Sequence, residues 1–115
     1  MSVTIYHNPR CSKSRQTLAL LEEKGVEPDI VLYLETPPDA KTLKSLIGRL
    51  GITPRELLRA GEAEYRELNL ADPALGDDRL IDAMVRHPKL IQRPIVVNGE
   101  RAALGRPPEA VLDIL

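Results

Sequence analysis

Hydrophobic and polar residues alternate at the start of the chain and then recur at helical spacing, which predicts a βαβ unit. Val3 to Tyr6 alternate as in a half-buried strand. A helix is expected next, capped by Ser12 or Ser14 and running to about Lys24, with Gly25 in the left-handed position just past its end. The run DIVLYL predicts a second, buried strand. It lies parallel to the first because a helix connects the two.

The middle of the chain is patterned for helices. An amphipathic helix that ends at Gly51 is predicted by apolar residues spaced i, i+3, i+4 and i+7, namely Leu43, Leu46, Ile47 and Leu50. The run TPRELL carries a helix-start signature, with Thr53 as the cap, Pro54 at the first helical position and Glu56 three residues after the cap. A further helix is predicted from about Asp78 to Arg86, with inward-facing Leu80, Ile81, Met84 and Val85.

The end of the chain returns to strands. PIVVNGERAAL is typical of a β-hairpin with Asn98-Gly99 as a two-residue type I′ turn, and Pro107-Pro108 opens a last short helix. We therefore predict an α/β protein with one domain over residues 1–115. A four-stranded mixed sheet would carry an all-helical insertion at about 38–90, between the second and third strands. Without the insertion this order resembles the thioredoxin/glutaredoxin fold, which places a cis proline at the position of Pro94.

Length, net charge, apolar runs and cysteine count limit the classes of protein to which this chain can belong. The 115 residues suffice for one hydrophobic core, and a net charge of −1 argues against the broad basic field of a nucleic-acid-binding protein. No stretch approaches the roughly 18 apolar residues of a membrane span, and the start MSVTIYHN lacks a secretory signal. The single cysteine excludes an internal disulfide, so we expect a cytoplasmic protein. Two isolated histidines beside one cysteine predict no metal site.

The lone cysteine, Cys11, is the strongest candidate for chemistry. It stands at the start of the first predicted helix, where backbone N–H groups and the helix dipole stabilise negative charge. Arg10, Lys13 and Arg15 add positive charge, and His7 is close in sequence. These surroundings favour a nucleophilic thiolate and form a cradle for an oxyanion. The alternative is a buried, inert cysteine, but its polar neighbours favour the reactive thiol.

The spacing Cys11-Ser-Lys-Ser14 decides how that thiol would be reset. In a C-x-x-C pair the second thiol resolves the intermediate disulfide, but here Ser14 takes its place. Whatever Cys11 forms must be resolved by a thiol from outside the chain, such as glutathione or a glutaredoxin. Ser14 could serve only the hydrogen bonding of the helix start, alone or together with contact to a bound anion.

The segments IYHNPRCSKSRQTL, LYLETPP, LIDAMVRHPKLIQRPIVV and GRPPEAVLDIL resemble the glutaredoxin-coupled arsenate reductase family, in particular its short Cys-Ser-Lys-Ser members. The resemblance implies that Cys11 attacks arsenate and that the oxyanion is bound by three arginines, Arg59, Arg93 and Arg106. It further implies supporting roles for His7, which helps to keep the thiol ionised, and for Ser14, Arg15 and Pro94.

The resemblance also implies partners. The substrate would be arsenate or a similar oxyanion, glutathione the reductant and glutaredoxin the second thiol donor; we expect a monomer without a bound cofactor. Arg10 and Lys13 depart from the Ala-Cys-Gly-Thr-Ser run of the best-known members, and the chain stops at Leu115 where longer members continue. Two other functions stay open: a glutathione-linked thiol transferase, and a transcriptional adaptor of the same fold that binds RNA polymerase. The adaptor senses redox state through a C-x-x-C pair, which this chain lacks.

Overall fold

The structure, a computed structural model, describes residues 2–115, which form a four-stranded mixed sheet with helices. In chain order the elements are β1 (Val3–His7), α1 (Ser12–Glu23), β2 (Asp29–Leu32), α2 (Ala40–Leu50), α3 (Pro54–Leu57), α4 (Ala63–Glu67), α5 (Asp77–Arg86), a 3-10 turn (Pro88–Leu90), β3 (Ile95–Asn98), β4 (Arg101–Leu104) and a last 3-10 helix (Pro108–Ile114). The spatial order is β2-β1-β3-β4, with β1 and β2 parallel and the other pairs antiparallel. This confirms the predicted α/β fold class.

The core forms where α1 and the last 3-10 helix cover one face of the sheet. Alternate residues of β1 point into it, and its buried members are Val3, Ile5, Leu21, Val96, Val111 and Ile114. Every second residue of β1 is buried, as the alternation of apolar residues in the sequence predicts. α1 packs on the last 3-10 helix. The loop between β1 and α1 is attached at both of its ends to elements of this core.

Two details of the βαβ unit differ from the prediction. The N-cap of α1 is Cys11 itself, in extended conformation and without a side-chain capping bond, so neither Ser12 nor Ser14 is the cap. β2 ends at Leu32 and is an edge strand, because among residues 2–115 only β1 pairs with it. Ile30 is 50% exposed and Leu32 is 36% exposed. The prediction of a buried strand was therefore wrong. Gly25 does adopt the left-handed conformation, with φ 78°.

The helical block has the predicted helices and one more. Asp39 caps α2 by accepting the Thr42 N–H at 2.8 Å, and Gly51 ends the helix with φ 69°. Thr53 and Glu56 make the predicted capping box of α3. α5 packs against α2 and α3 and buries Leu80, Ile81, Ala83 and Met84. The additional helix is α4, which has no buried residue, so its sequence lacks the apolar stripe that would have indicated it.

The hairpin is shifted by one residue from the prediction. Asn98 pairs with Arg101, so the loop is Gly99-Glu100, and of the two only Gly99 has positive φ, as in a type II′ turn. The Asn98 side-chain amide donates to the Ile114 carbonyl at 2.7 Å, which holds Asn98 in the strand. The last helix is present but is of 3-10 type.

The described chain divides into two compact units. One contains the residues up to Thr36 together with Arg93–Leu115, and the other contains Pro37–Gln92. The assignment of a single domain with an insertion at about 38–90 stays a prediction. In the described part of the chain, no helix combines the length and the apolar character that crossing a membrane would require.

Candidate active site

Cys11 lies at the junction of the β1–α1 loop and α1. Its N–H donates to the Asn8 carbonyl at 3.0 Å, and its own carbonyl accepts the Arg15 N–H at 3.0 Å, which starts the helix. The Asn8 side chain braces the loop by accepting the Arg10 N–H at 3.0 Å. The cysteine is buried, with 8% of its surface exposed, but it is not a member of the hydrophobic cluster between α1, the last 3-10 helix and the sheet. The thiol is thus held at a helix N-terminus, outside that cluster.

Several positive groups face the sulfur. Burial alone would raise the pKa of Cys11, but the backbone N–H of Ser14, the Arg93 charge, the backbone N–H of Lys13 and the Arg106 charge together outweigh it, so the pKa lies below its ordinary value. The first turn of α1 contains no acidic residue, whereas that of α5 begins Asp77-Asp78. The negative charge that a helix N-terminus favours is therefore left for the thiolate or for a bound anion to supply.

Arg93 and Arg106 form a pair of guanidinium groups beside Cys11. Arg106 donates from Nε to the Arg93 carbonyl at 2.8 Å and places Nη2 3.8 Å from the Cys11 Sγ. Nε and Nη1 of Arg93 are buried without a hydrogen-bond partner among residues 2–115. Buried donors of this kind are rare in proteins unless a ligand or water satisfies them. A tetrahedral oxyanion at the sulfur would satisfy them.

His7 and Ser14 are joined by a buried hydrogen bond close to Cys11 in the sequence. The His7 Nδ1 and the Ser14 Oγ are 2.6 Å apart, and the Ser14 Oγ also accepts the Asn8 N–H at 3.0 Å. Burial and, secondly, the Arg15 charge lower the pKa of His7 below its ordinary value of 6.5, which favours the neutral ring. The hydrogen bond to His7 fixes the side chain of Ser14, whose backbone N–H faces the thiolate. The part of His7 in keeping the thiol ionised stays a prediction.

Arg15 and Pro94, the other two residues implied by the resemblance, also shape this region. Arg15 donates from Nη1 to the Pro9 carbonyl at 2.9 Å, so its side chain fixes the loop before Cys11. The Arg93–Pro94 peptide bond is cis, as the fold analogy favours, and the Arg106–Pro107 bond is also cis.

Sequence reasoning missed Gly105 and Thr17. The Gly105 N–H donates to the Pro94 carbonyl at 3.0 Å. A Cβ on Gly105 would overlap the Thr17 hydroxyl and lie 2.7 Å from the Pro94 Cγ. Only glycine fits between α1 and Pro94, and this close approach sets the position of the adjacent Arg106. The signal in the sequence was the Gly-Arg-Pro run, in which only the arginine was singled out.

Arg59 belongs to the other unit of the chain. Its N–H donates to the Leu90 carbonyl at 2.8 Å, and its guanidinium makes a short ion pair with Glu62. The structure thus gives Arg59 a structural partner within its own unit, and its role toward an oxyanion remains a prediction.

Within residues 2–115, no group of His, Cys, Asp and Glu side chains is placed to hold a metal ion. What the arrangement offers is a thiolate, backbone N–H groups and two guanidinium groups around one point. These groups suit nucleophilic attack on an anion.

Comparison with known proteins gives matches over nearly the whole chain. The model of a family described as the ArsC family matches residues 6–114. An arsenate reductase of Haemophilus influenzae is 51% identical over 116 residues, which cover all of both chains. The uncharacterized protein YfgD of Escherichia coli K12 is 61% identical over 98% of this chain and 96% of its own length.

Solved structures agree with these sequence matches. An arsenate reductase from Vibrio cholerae superimposes with a TM-score of 0.98 at 57% identity, covering 100% of this chain and 98% of its own. At this identity the likeness extends to sequence as well as fold.

Proposed function

The chain belongs to the ArsC family, and from this premise we propose that it is an arsenate reductase with Cys11 as its nucleophile. The observation that carries the proposal is the pair of unsatisfied Arg93 donors beside a cysteine whose pKa is lowered. These donors explain why the substrate would be an oxyanion. The lowered pKa explains why the thiol could attack it at neutral pH.

The reaction would proceed in three steps. The Cys11 thiolate forms an S–As bond with arsenate while one As–O bond breaks, and that oxygen leaves as water after protonation. A glutathione thiolate then attacks the Cys11 sulfur, forming an S–S bond. The S–As bond breaks with its electron pair on arsenic, so As(V) becomes As(III) and leaves as arsenite. A glutaredoxin thiol finally attacks the glutathione sulfur and frees the Cys11 thiolate.

Each residue of the proposed site has a distinct task. Arg93 and Arg106 stabilise the charge that develops on the arsenate oxygens, and the N–H groups of Lys13 and Ser14 stabilise the thiolate. His7, Arg15 and Pro94 position the loops that carry these groups. Arg59 is proposed as the third oxyanion ligand on the family resemblance alone.

The electrons come from glutathione, so the proposal requires no resident cofactor. We further propose that the protein works as a monomer in the cytoplasm, where glutathione and glutaredoxin are available, and that it binds neither nucleic acid nor membrane. A net charge of −1 supports the absence of nucleic-acid binding.

The test is arsenite formation with glutathione and glutaredoxin present. Wild type should turn over, Cys11→Ser should not, and Arg93→Ala or Arg106→Ala should each lower kcat/KM about a hundredfold. Arg66→Ala, at an exposed position of the other unit, is the matched control and should behave as wild type. Arg59→Ala should raise the KM for arsenate; an unchanged KM would show that Arg59 does not bind the oxyanion.

Two outcomes would overturn the proposal. If wild type exchanges glutathione mixed disulfides but forms no arsenite, it is a thiol transferase. If it binds RNA polymerase tightly and forms no arsenite, it is an adaptor.

A further inference from the structure

A groove of about 250 Å³ lies against the loop that leads to Cys11. It is lined by residues 7–10 together with Leu32, Leu34 and Glu35. All of these residues belong to the unit that contains Cys11. Arg93 and Arg106, the arginines proposed to bind the oxyanion, do not line the groove, so it is a separate feature of the same unit.

The groove and the nucleophile share one short segment. The Asn8 carbonyl, in the groove wall, accepts the Cys11 N–H at 3.0 Å. Arg10, also in the wall, directly precedes Cys11, and consecutive Cα atoms are about 3.8 Å apart. A molecule anchored at Arg10 is therefore one residue away from the nucleophile.

The lining combines an apolar strip with one charge of each sign. The apolar strip consists of Leu32, the last residue of the edge strand β2, and Leu34 in the turn that follows it; the two are 36% and 38% exposed. Arg10 and Glu35 are exposed, and within residues 2–115 neither side chain has a hydrogen-bond or ion-pair partner. An unpaired cation and an unpaired anion beside an apolar strip complement a small zwitterion with an apolar stem.

The reaction of Cys11 indicates which zwitterion the groove would bind. Cys11 is the only cysteine, so resetting its adduct requires a thiol that comes to this loop from outside. A thiol tripeptide has carboxylates, an ammonium group and an extended length of about 10 Å, which is enough to reach from the groove to the adjacent residue. Its charges match those of Arg10 and Glu35.

We propose that this groove binds the small thiol that resets Cys11, a zwitterionic thiol peptide of the glutathione type. Arg10 pairs with a carboxylate of the peptide, Glu35 with its ammonium group, and Leu32 and Leu34 contact its apolar stem. The thiolate of the bound peptide then attacks the Cys11 sulfur as described above. The inference rests on the proposed function, and it gives Arg10 a role at the thiol donor in place of the oxyanion.

Steady-state kinetics test the charge pairing. Arg10→Ala and Glu35→Gln should each raise the KM for glutathione roughly threefold, as expected for exposed ion pairs, and Arg10→Glu should raise it further. The KM for arsenate should stay within twofold of wild type in all three. Arg66→Glu is the matched control and should change neither constant. If Arg10→Ala raises the KM for arsenate and leaves that for glutathione unchanged, Arg10 serves the oxyanion and the proposal is wrong.

A binding measurement separates this proposal from the proposed function. S-methylglutathione cannot react, and its titration into ¹⁵N-labelled wild type should shift the amide signals of residues 8, 10 and 32–35. These shifts should be lost in Arg10→Glu and kept in Arg66→Glu. Such binding in a wild type that forms no arsenite would overturn the proposed function and leave the groove assignment intact. Arsenite formation with no shifts at these residues, or with shifts only on adding glutaredoxin, would overturn the groove assignment.

Discussion

Gly105→Ala is predicted to damage both the stability of the protein and the reactivity of its thiol. The added Cβ would overlap the Thr17 hydroxyl and lie 2.7 Å from the Pro94 Cγ, well inside the ~3.5 Å at which carbon atoms normally pack. Thr17 is fully buried and its hydroxyl already donates to the Lys13 carbonyl at 2.8 Å. Pro94 is buried directly before β3, and its carbonyl accepts the Gly105 N–H, so neither neighbour yields easily.

The magnitude follows from the cost of overpacking. Extra methyl groups in a packed interior cost about 1–3 kcal/mol of unfolding free energy, a large part of the ~5–15 kcal/mol that stabilises a typical domain. The next residue, Arg106, reaches the Cys11 Sγ at only 3.8 Å. A displaced Gly105 moves Arg106 away, so the pKa of Cys11 should rise and alkylation at pH 6.5 should slow.

The assays are urea denaturation and the pH dependence of iodoacetamide alkylation. Gly48→Ala is the matched control, because Gly48 lies inside α2 and its Cβ would meet nothing within 4 Å in the described residues beyond its chain neighbours and the adjacent backbone of α2. That substitution should stabilise the protein by about 0.5–1 kcal/mol and leave the thiol unchanged. If Gly105→Ala matched Gly48→Ala in both assays, the close packing would not position Arg106 and the reasoning would fail.

Three further predictions concern single groups. Arg106→Ala should raise the pKa of Cys11 and slow its alkylation at pH 6.5 several-fold, whereas Arg101→Ala should not; equal rates would show that the guanidinium does not act on the sulfur. Folding lowers the pKa of His7, so as the pH drops the unfolded chain binds a proton before the folded protein does. The free energy of unfolding should therefore fall below about pH 6.5. His7→Gln should weaken this fall, which urea midpoints measured between pH 7.5 and 5.5 will show. An identical pH dependence in the two proteins would contradict that assignment. Thr53→Ala should cost about 1 kcal/mol of unfolding free energy through loss of the capping box, and Thr53→Ser should retain most of it.

Local signals predicted most of the fold. The apolar spacing around Leu43 and Ile47 is sufficient to define α2, and glycines such as Gly51 mark the points where the backbone must turn left-handed. The strand order follows from the βαβ and ββα connections, and the family and fold predictions are confirmed by the comparisons.

The predictions that failed concern the burial of β2 and the position of the hairpin turn, which depend on contacts between residues far apart in the sequence. The apolar run of β2 has the same sequence pattern whether a neighbour covers it or not, and Ile30 is exposed because β2 is an edge strand. Asn98-Gly99 has strong turn propensity, yet the bond from Asn98 to the Ile114 carbonyl, 16 residues away, keeps Asn98 in β3 and moves the turn onward. No local pattern reports such a contact.

The site was predictable in part. The polar neighbours of Cys11 indicated an activated thiol, and the sequence placed it at a helix start. The unsatisfied donors of Arg93 and the absence of space beside Gly105 are properties of three-dimensional packing and have no sequence pattern. The placement of Arg10 in a groove with Glu35 also depends on how β2 lies beside the loop.

Ser14 differs from cysteine by one atom, yet exchanging its oxygen for sulfur would not produce a working dithiol. The side chain is completely buried and is directed at the His7 ring and the Asn8 amide, so a sulfur introduced there would face the imidazole and not Cys11. A variant that resolves its own disulfide would therefore need a second substitution besides Ser14→Cys, because the His7 ring would lose its hydrogen-bond partner. The dependence on a thiol from outside the chain thus follows from the packing of Ser14 against His7 and Asn8 as well as from the lack of a second cysteine.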